Sequence, residues 1–106
     1  MQMNRQLVEA FKAQVIVSVA RQINVPDFEF FMHDELYEMI RARNQRIFQK
    51  LETFLHVYDS WWTFQEAHQK ELESGGLEPE NFQANMELMD KRDKSRQELI
   101  DELKSQ

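Results

Sequence analysis

The side chains in this chain best suited to chemistry are carboxylates, which fall into three groups at helical spacing. Asp34-Glu35-Leu36-Tyr37-Glu38 and Glu87-Leu88-Met89-Asp90 each carry two acids three residues apart, which puts both on one face of a helix. Paired carboxylates on two facing helices can hold magnesium, which in turn grips a polyphosphate. Glu35, Glu38, Glu87 and Asp90 are therefore the first metal-ligating candidates. Glu52, His56, Asp59 and Thr63 form the third group, at i, i+4 and i, i+3 spacing. Its carboxylates flank an imidazole, so it suits a divalent-metal patch or an acid–base pair. Each group also has a plainer reading as the solvated face of a charged helix, and a metal site needs ligands from a second element.

The two acidic pairs together resemble the E-E-x-x-E and E-x-x-D motifs of the all-α nucleoside triphosphate pyrophosphohydrolases. That resemblance implies a magnesium-dependent enzyme built as a helical dimer. It covers about nine residues and departs in two places: Asp34 stands where the family has its first Glu, and Lys91-Arg92-Asp93-Lys94 comes after the second pair where the family continues apolar. No Gly-rich phosphate loop and no supportable Ser-His-Asp arrangement accompanies the carboxylates. The absence of cysteine rules out disulfides, thiolate zinc sites and cysteine nucleophiles. No cofactor is expected.

The elements that must carry these groups are helices. Two glycines and two prolines in 106 residues are too few for the turns of a many-stranded fold. Two punctuation marks, Asn24-Val25-Pro26-Asp27 and Gly75-Gly76-Leu77-Glu78-Pro79, divide a single domain spanning 1–106. The first helix is expected over about 4–23, capped by Asn4, with Leu7, Val8, Phe11, Val15, Ile16, Val19, Ala20 and Ile23 at helical spacing. Asp27 is placed to cap the next element, and Phe28, Phe30, Phe31 and Met32 are expected to form a short turn packed inward. Residues 34–74 contain no Gly or Pro, enough for a helix of about 60 Å. Either that helix projects unbroken or it breaks near 43–44, where Asn44 can cap a restart. Gly75-Gly76 ends it through left-handed glycine conformations, and Pro79 opens a last helix over 79–104.

The long segment carries the clearest packing signal. At 100° per residue, Ile47, Leu51, Phe54, Tyr58 and Trp61 cluster, with Phe48, Leu55 and Trp62 on one side and Val57 and Phe64 on the other. The apolar arc is about 200° wide, roughly twice the stripe of a surface helix. Two covering helices are needed along its whole length, and an unbroken helix leaves each half with one. The expected fold is therefore all-α: an antiparallel bundle of three long helices plus a Phe-rich turn, completed by a second copy of the chain. A broken segment would instead permit a monomeric four-helix arrangement.

In the last helix, Phe82, Met86, Met89, Asp93, Arg96, Ile100 and Leu103 repeat at the 4-3 spacing of a coiled-coil seam. Asp93 and Arg96 on its midline can pair to set register, line a pocket for a charged ligand, or sit in water. Trp61 and Trp62 point about 100° apart, so one fits the core and the other an interface, where buried aromatics dominate the binding energy. The interface candidates are Trp61, Trp62, Phe64, Asp93, Arg96, Ile100 and Leu103.

Charge narrows the partners. The net charge is −6: residues 1–26 carry three bases and one acid, residues 27–76 ten acids and five bases, and residues 77–106 eight acids and five bases. Nucleic-acid binding, which needs a basic face, is not expected. No apolar run reaches transmembrane length, and residues 1–4 do not open a signal peptide, so a cytoplasmic location is expected. The sequence points first to a small interaction module, a dimeric adaptor, inhibitor or regulatory subunit. The pyrophosphohydrolase-like enzyme and a structural subunit of a larger assembly are the alternatives.

Overall fold

In the computed structural model, which describes residues 4–106, Asn4 opens the first helix by accepting a hydrogen bond from the Leu7 N–H at 3.0 Å. α1 (Arg5–Gln22) runs straight through the β-branched stretch Val15–Val19. Packing overrides local preference there, because Ile16 and Val19 enter the core. Asn24 then takes a left-handed φ of 58°, the Asn24 N–H bonds to Arg21 O, and the Val25 N–H bonds to Ala20 O. This paired closure needs a left-handed residue, a role Asn fills more readily than most non-glycine residues.

Asp27 does not cap. It sits at φ 54° with no side-chain capping bond, ahead of a single 3-10 turn over Phe28–Phe30. The turn is not packed inward as its composition suggests. Phe28 alone reaches the core, while Phe30 is 83% and Met32 64% exposed, with Phe31 also in water. Val25, ahead of the turn, is buried in the core instead, and an extended backbone at Phe31 and Met32 leads into α2 (His33–Arg43) with their side chains in water.

The 34–74 segment is broken, and one residue does it. Asn44 ends α2 through its N–H to Ile40 O (2.9 Å) and begins α3 (Gln45–Ala67) by accepting from the Ile47 N–H (3.1 Å), with an extended backbone between. A second, unexpected break falls at His68, whose ring stacks on Phe64 with Nδ1 2.9 Å from the Phe64 carbonyl. The short α4 (Gln69–Glu73) comes next. Gly75 and Gly76 turn the chain at φ 120° and 129°, and α5 (Pro79–Lys104) begins beyond them. Glu78 gives α5 no side-chain cap; the Glu71 carboxylate ties the start of α5 to α4, accepting from the Glu78 N–H at 2.7 Å and from the Asn81 side-chain Nδ2. Those bonds, the Glu78 N–H first, hold the Glu71 carboxyl below the usual carboxylate range.

The described residues contain helices and turns but no strand, and no helix is long and apolar enough to cross a membrane. α5 runs antiparallel to α3 along its length, from Arg46–Glu102 (2.8 Å) at one end to Gln65–Asn85 at the other. α1 lies mainly on α2, and both lie on α3. The body measures 48 × 26 × 16 Å. Leu36, Ile40, Ile47 and Leu51, all fully buried, form its centre, where α2 and the first half of α3 meet.

The face that α5 turns to α3 is one residue out of phase with the expected seam. Ser95 and Leu99 are buried, and Leu88 and Arg92 are half-buried. Small Ser95 lets the helices approach, and the Arg92 guanidinium lies 4.4 Å from the Trp61 ring centroid. The helix is thereby rotated about 100° from the orientation its apolar content suggests, leaving Phe82 (56%) and Met86 (40%) exposed.

Candidate functional site

The two acidic groups that sequence spacing treats separately share one cleft. α2 leads back along α3 from the hinge at Asn44, and Glu35 and Glu38 of α2 come to line the same recess as Glu52, His56 and Asp59 of α3. The cleft has a volume of about 970 Å³ and is walled on its third side by α1. Ala13, Ile16, Met39 and Leu55 supply its apolar surface. Glu87 and Asp90, on the first half of α5, do not line it. The four carboxylates of the pyrophosphohydrolase-like pattern are therefore split between two surfaces of the chain.

Within the cleft Asp59 is already engaged. Arg5 Nη1 donates to both its oxygens at 3.0 Å, and Lys12 Nζ donates at 2.8 Å. The other Arg5 nitrogen, Nη2, reaches Thr63 at 3.0 Å and Glu66 at 2.8 Å. Partial burial works to raise the Asp59 carboxyl, but the bonds from Lys12 and Arg5 outweigh it and hold the group below the usual carboxylate range. Of the strip Glu52–His56–Asp59–Thr63, Asp59 alone is half-covered, and its charge is already paired with Arg5 and Lys12; the other three are exposed. Among the described residues no three His, Asp or Glu side chains gather in a way that could hold a metal ion.

The other carboxylates of the cleft are less committed. Asp34, Glu35 and Glu52 form no ion pair among the described residues, and Glu38 makes one loose pair with Arg41 at 3.7 Å. Tyr37 lies beside Glu52; partial burial and then that carboxylate raise its hydroxyl above the usual tyrosine range. The cation facing this wall is Lys12, bound to Asp59 and Glu9, and the rings of His33 and His56 also line the cleft. Sequence reasoning misses Glu9, Lys12, His33 and Tyr37 as members of the site. One signal for them exists: Arg5, Glu9 and Lys12 recur at i, i+4, i+7 on a helix with a net positive segment charge, opposite a strongly acidic segment.

The candidate interface residues divide differently. Trp62 is buried in the chain's own core. Trp61 is half-covered by Arg92, and Phe64 is half-covered against His68. Asp93 does not pair with Arg96; it accepts from Arg92 at 3.0 Å and stays exposed. Arg96, Ile100 and Leu103 line one wall of a shallow groove of about 420 Å³ between α5 and α1, with Phe11 and Val15 on the other wall and Phe54 also lining it. No family model, curated protein or solved structure matches this chain.

Proposed function

We propose that the chain is a protein–protein interaction module that pairs with a second copy of itself across the open face between α1 and α5. The observation that carries this reading is the apolar stripe left uncovered there. Phe82 and Met86 on α5 and Leu7 on α1 stand in water, and Phe11, Met89, Ile100 and Leu103 are only half-covered. The stripe on α5 keeps coiled-coil spacing, yet its own chain covers it only in part: Leu103 packs on the core, while Phe82 and Met86 stay in water. Two copies related by a two-fold axis would each set this ridge into the other's groove, completing a helical bundle.

The break at Asn44 narrows the need for a partner. The α2 it creates covers the first half of the central arc, so Phe48, Phe54 and Leu55 are buried within one copy. Tyr58, Trp61 and Phe64 stay half-exposed, and that remainder falls to the second copy. Light scattering at micromolar concentration is expected to give twice the 12.9 kDa chain mass, and Phe82→Ser with Met86→Ser is expected to give the single mass. A wild-type chain that stays strictly monomeric overturns the proposal.

A further inference from the structure

The acidic cleft between α1, α2 and α3 lies away from the α1–α5 face, and a different set of observations bears on it. Its wall carries Asp34, Glu35 and Glu52, which form no ion pair among the described residues. Its lip is apolar and stands in water. Phe31 lines both the cleft and the recess next to it, Met32 lines that recess only, and Phe30 and Met32 are among the most exposed large side chains of the molecule. A patch of large apolar side chains at the edge of a recess marks a contact surface, and the unpaired carboxylates beside it fix the sign of the charge that surface receives. The two features are independent, since the acids project from α2 and α3 and the lip belongs to the turn before α2.

From this combination we infer that the cleft docks a basic amphipathic segment of another polypeptide, its apolar side chains against Phe31 and Met32 and its Lys or Arg groups against Glu35, Glu38 and Glu52. A compact polyamine would answer the carboxylates and leave the apolar lip wet. A second copy of this chain is a poor occupant because its one net-positive segment, residues 1–26, already commits Arg5 and Lys12 to its own Asp59. A helix with one apolar and one basic face answers both features, and such helices commonly dock by laying the apolar face into a groove.

The test uses fluorescence anisotropy with a labelled helical peptide of Leu and Lys, and a Leu and Glu peptide of the same length as control. The Leu/Lys peptide is expected to bind the full chain and the Leu/Glu peptide to fail. Glu35→Gln, Glu38→Gln and Glu52→Gln together are expected to weaken binding at least about tenfold, roughly the loss of one good charge-assisted contact. Removing three charges elsewhere, by Glu80→Gln, Glu87→Gln and Asp90→Asn, is expected to change it less than about twofold, because exposed charges beyond a Debye length are screened. Ala13→Trp, which fills the cleft without altering charge, is expected to weaken binding as well and serves if the triple variant fails to fold. Phe82→Ser with Met86→Ser, aimed at the other face, is expected to leave peptide binding intact. Equal loss from both charge triples, equal binding of the two peptides, or no binding of the Leu/Lys peptide overturns the inference.

Discussion

The two halves of α3 carry similar apolar arcs and have different company. Around Ile47–Leu55 the chain supplies α1, α2 and the second half of α5, and every large apolar side chain of that stretch is buried. Around Val57–Phe64 it supplies the first half of α5 and the start of α1, and Trp62 alone of the large apolar side chains is buried while Val57, Tyr58, Trp61 and Phe64 are half-covered. The covering helix that makes the difference is α2, released to fold back by one asparagine. An apolar arc of about 200° needs two neighbours, and only the first half has them along its whole length. The second half also holds the indole N–H groups of Trp61 and Trp62 buried without an acceptor among the described residues. Each unmet donor costs on the order of 1–3 kcal/mol, so this half is the less satisfied of the two.

That contrast predicts unequal responses to substitution. The largest is expected in the closed half, where Leu51→Ala leaves a cavity beside Ile40 and Ile47 and should lower stability by about 3 kcal/mol in urea unfolding. A loss below about 1 kcal/mol would mean that the closed half is not the core.

Where α1 is pinned across the boundary between the halves, Asp59→Asn should cost about 1 kcal/mol at neutral pH, discounted for the part-exposed setting of its ion pairs. Because the folded carboxyl is held below its unfolded value of about 3.9, the unfolded chain takes up the proton first as pH falls. The wild-type advantage is therefore full above the usual carboxylate range and disappears as pH falls through the folded value. Unfolding curves for wild type and variant at neutral and strongly acidic pH check it; a gap that survives in strong acid would place the effect in packing instead.

Asn44→Ala removes the cap that separates α2 from α3 and should cost about 1 kcal/mol. It should also raise helicity by circular dichroism if the two helices then fuse, which would uncover the first half of the arc and erase the contrast. The smallest effect is expected in the open half. Phe82→Ser with Met86→Ser should change the stability of the monomer, at a concentration low enough to hold it so, by no more than about 0.5 kcal/mol per site.

Local features are readable in the sequence and long-range ones are not. The Asn4 and Asn44 caps and the Gly75-Gly76 turn rest on a few adjacent residues, and each is a matter of backbone geometry that a particular side chain permits. The Asn24 closure belongs to the same class, although the nearby Pro26 is the louder signal. The seam on α5 falls one residue out of place when apolar content is the measure of burial. Contact with α3 instead favours the residue that permits close approach, Ser95, and the one that spans an aromatic ring, Arg92. Composition misleads at the Phe-rich turn for a related reason: side chains point where the backbone aims them, and the extended Phe31 and Met32 aim outward.

The cleft is half legible. Its acids on α2 and α3 stand out in two unconnected groups, and the fold-back of α2 is what joins them. What the sequence by itself determined is the helical class, the Asn4 cap, the Gly75-Gly76 turn, Asn44 as the place where a break could fall, and the surplus of apolar circumference on the central segment. These arise from spacing and from side chains acting on their own backbone. Which helix covers which arc, which carboxylates stay unpaired and which aromatics are left in water were decided only in three dimensions. Each of those depends on groups distant in the chain, whose meeting is fixed by the sum of many weak contacts and not by any one residue.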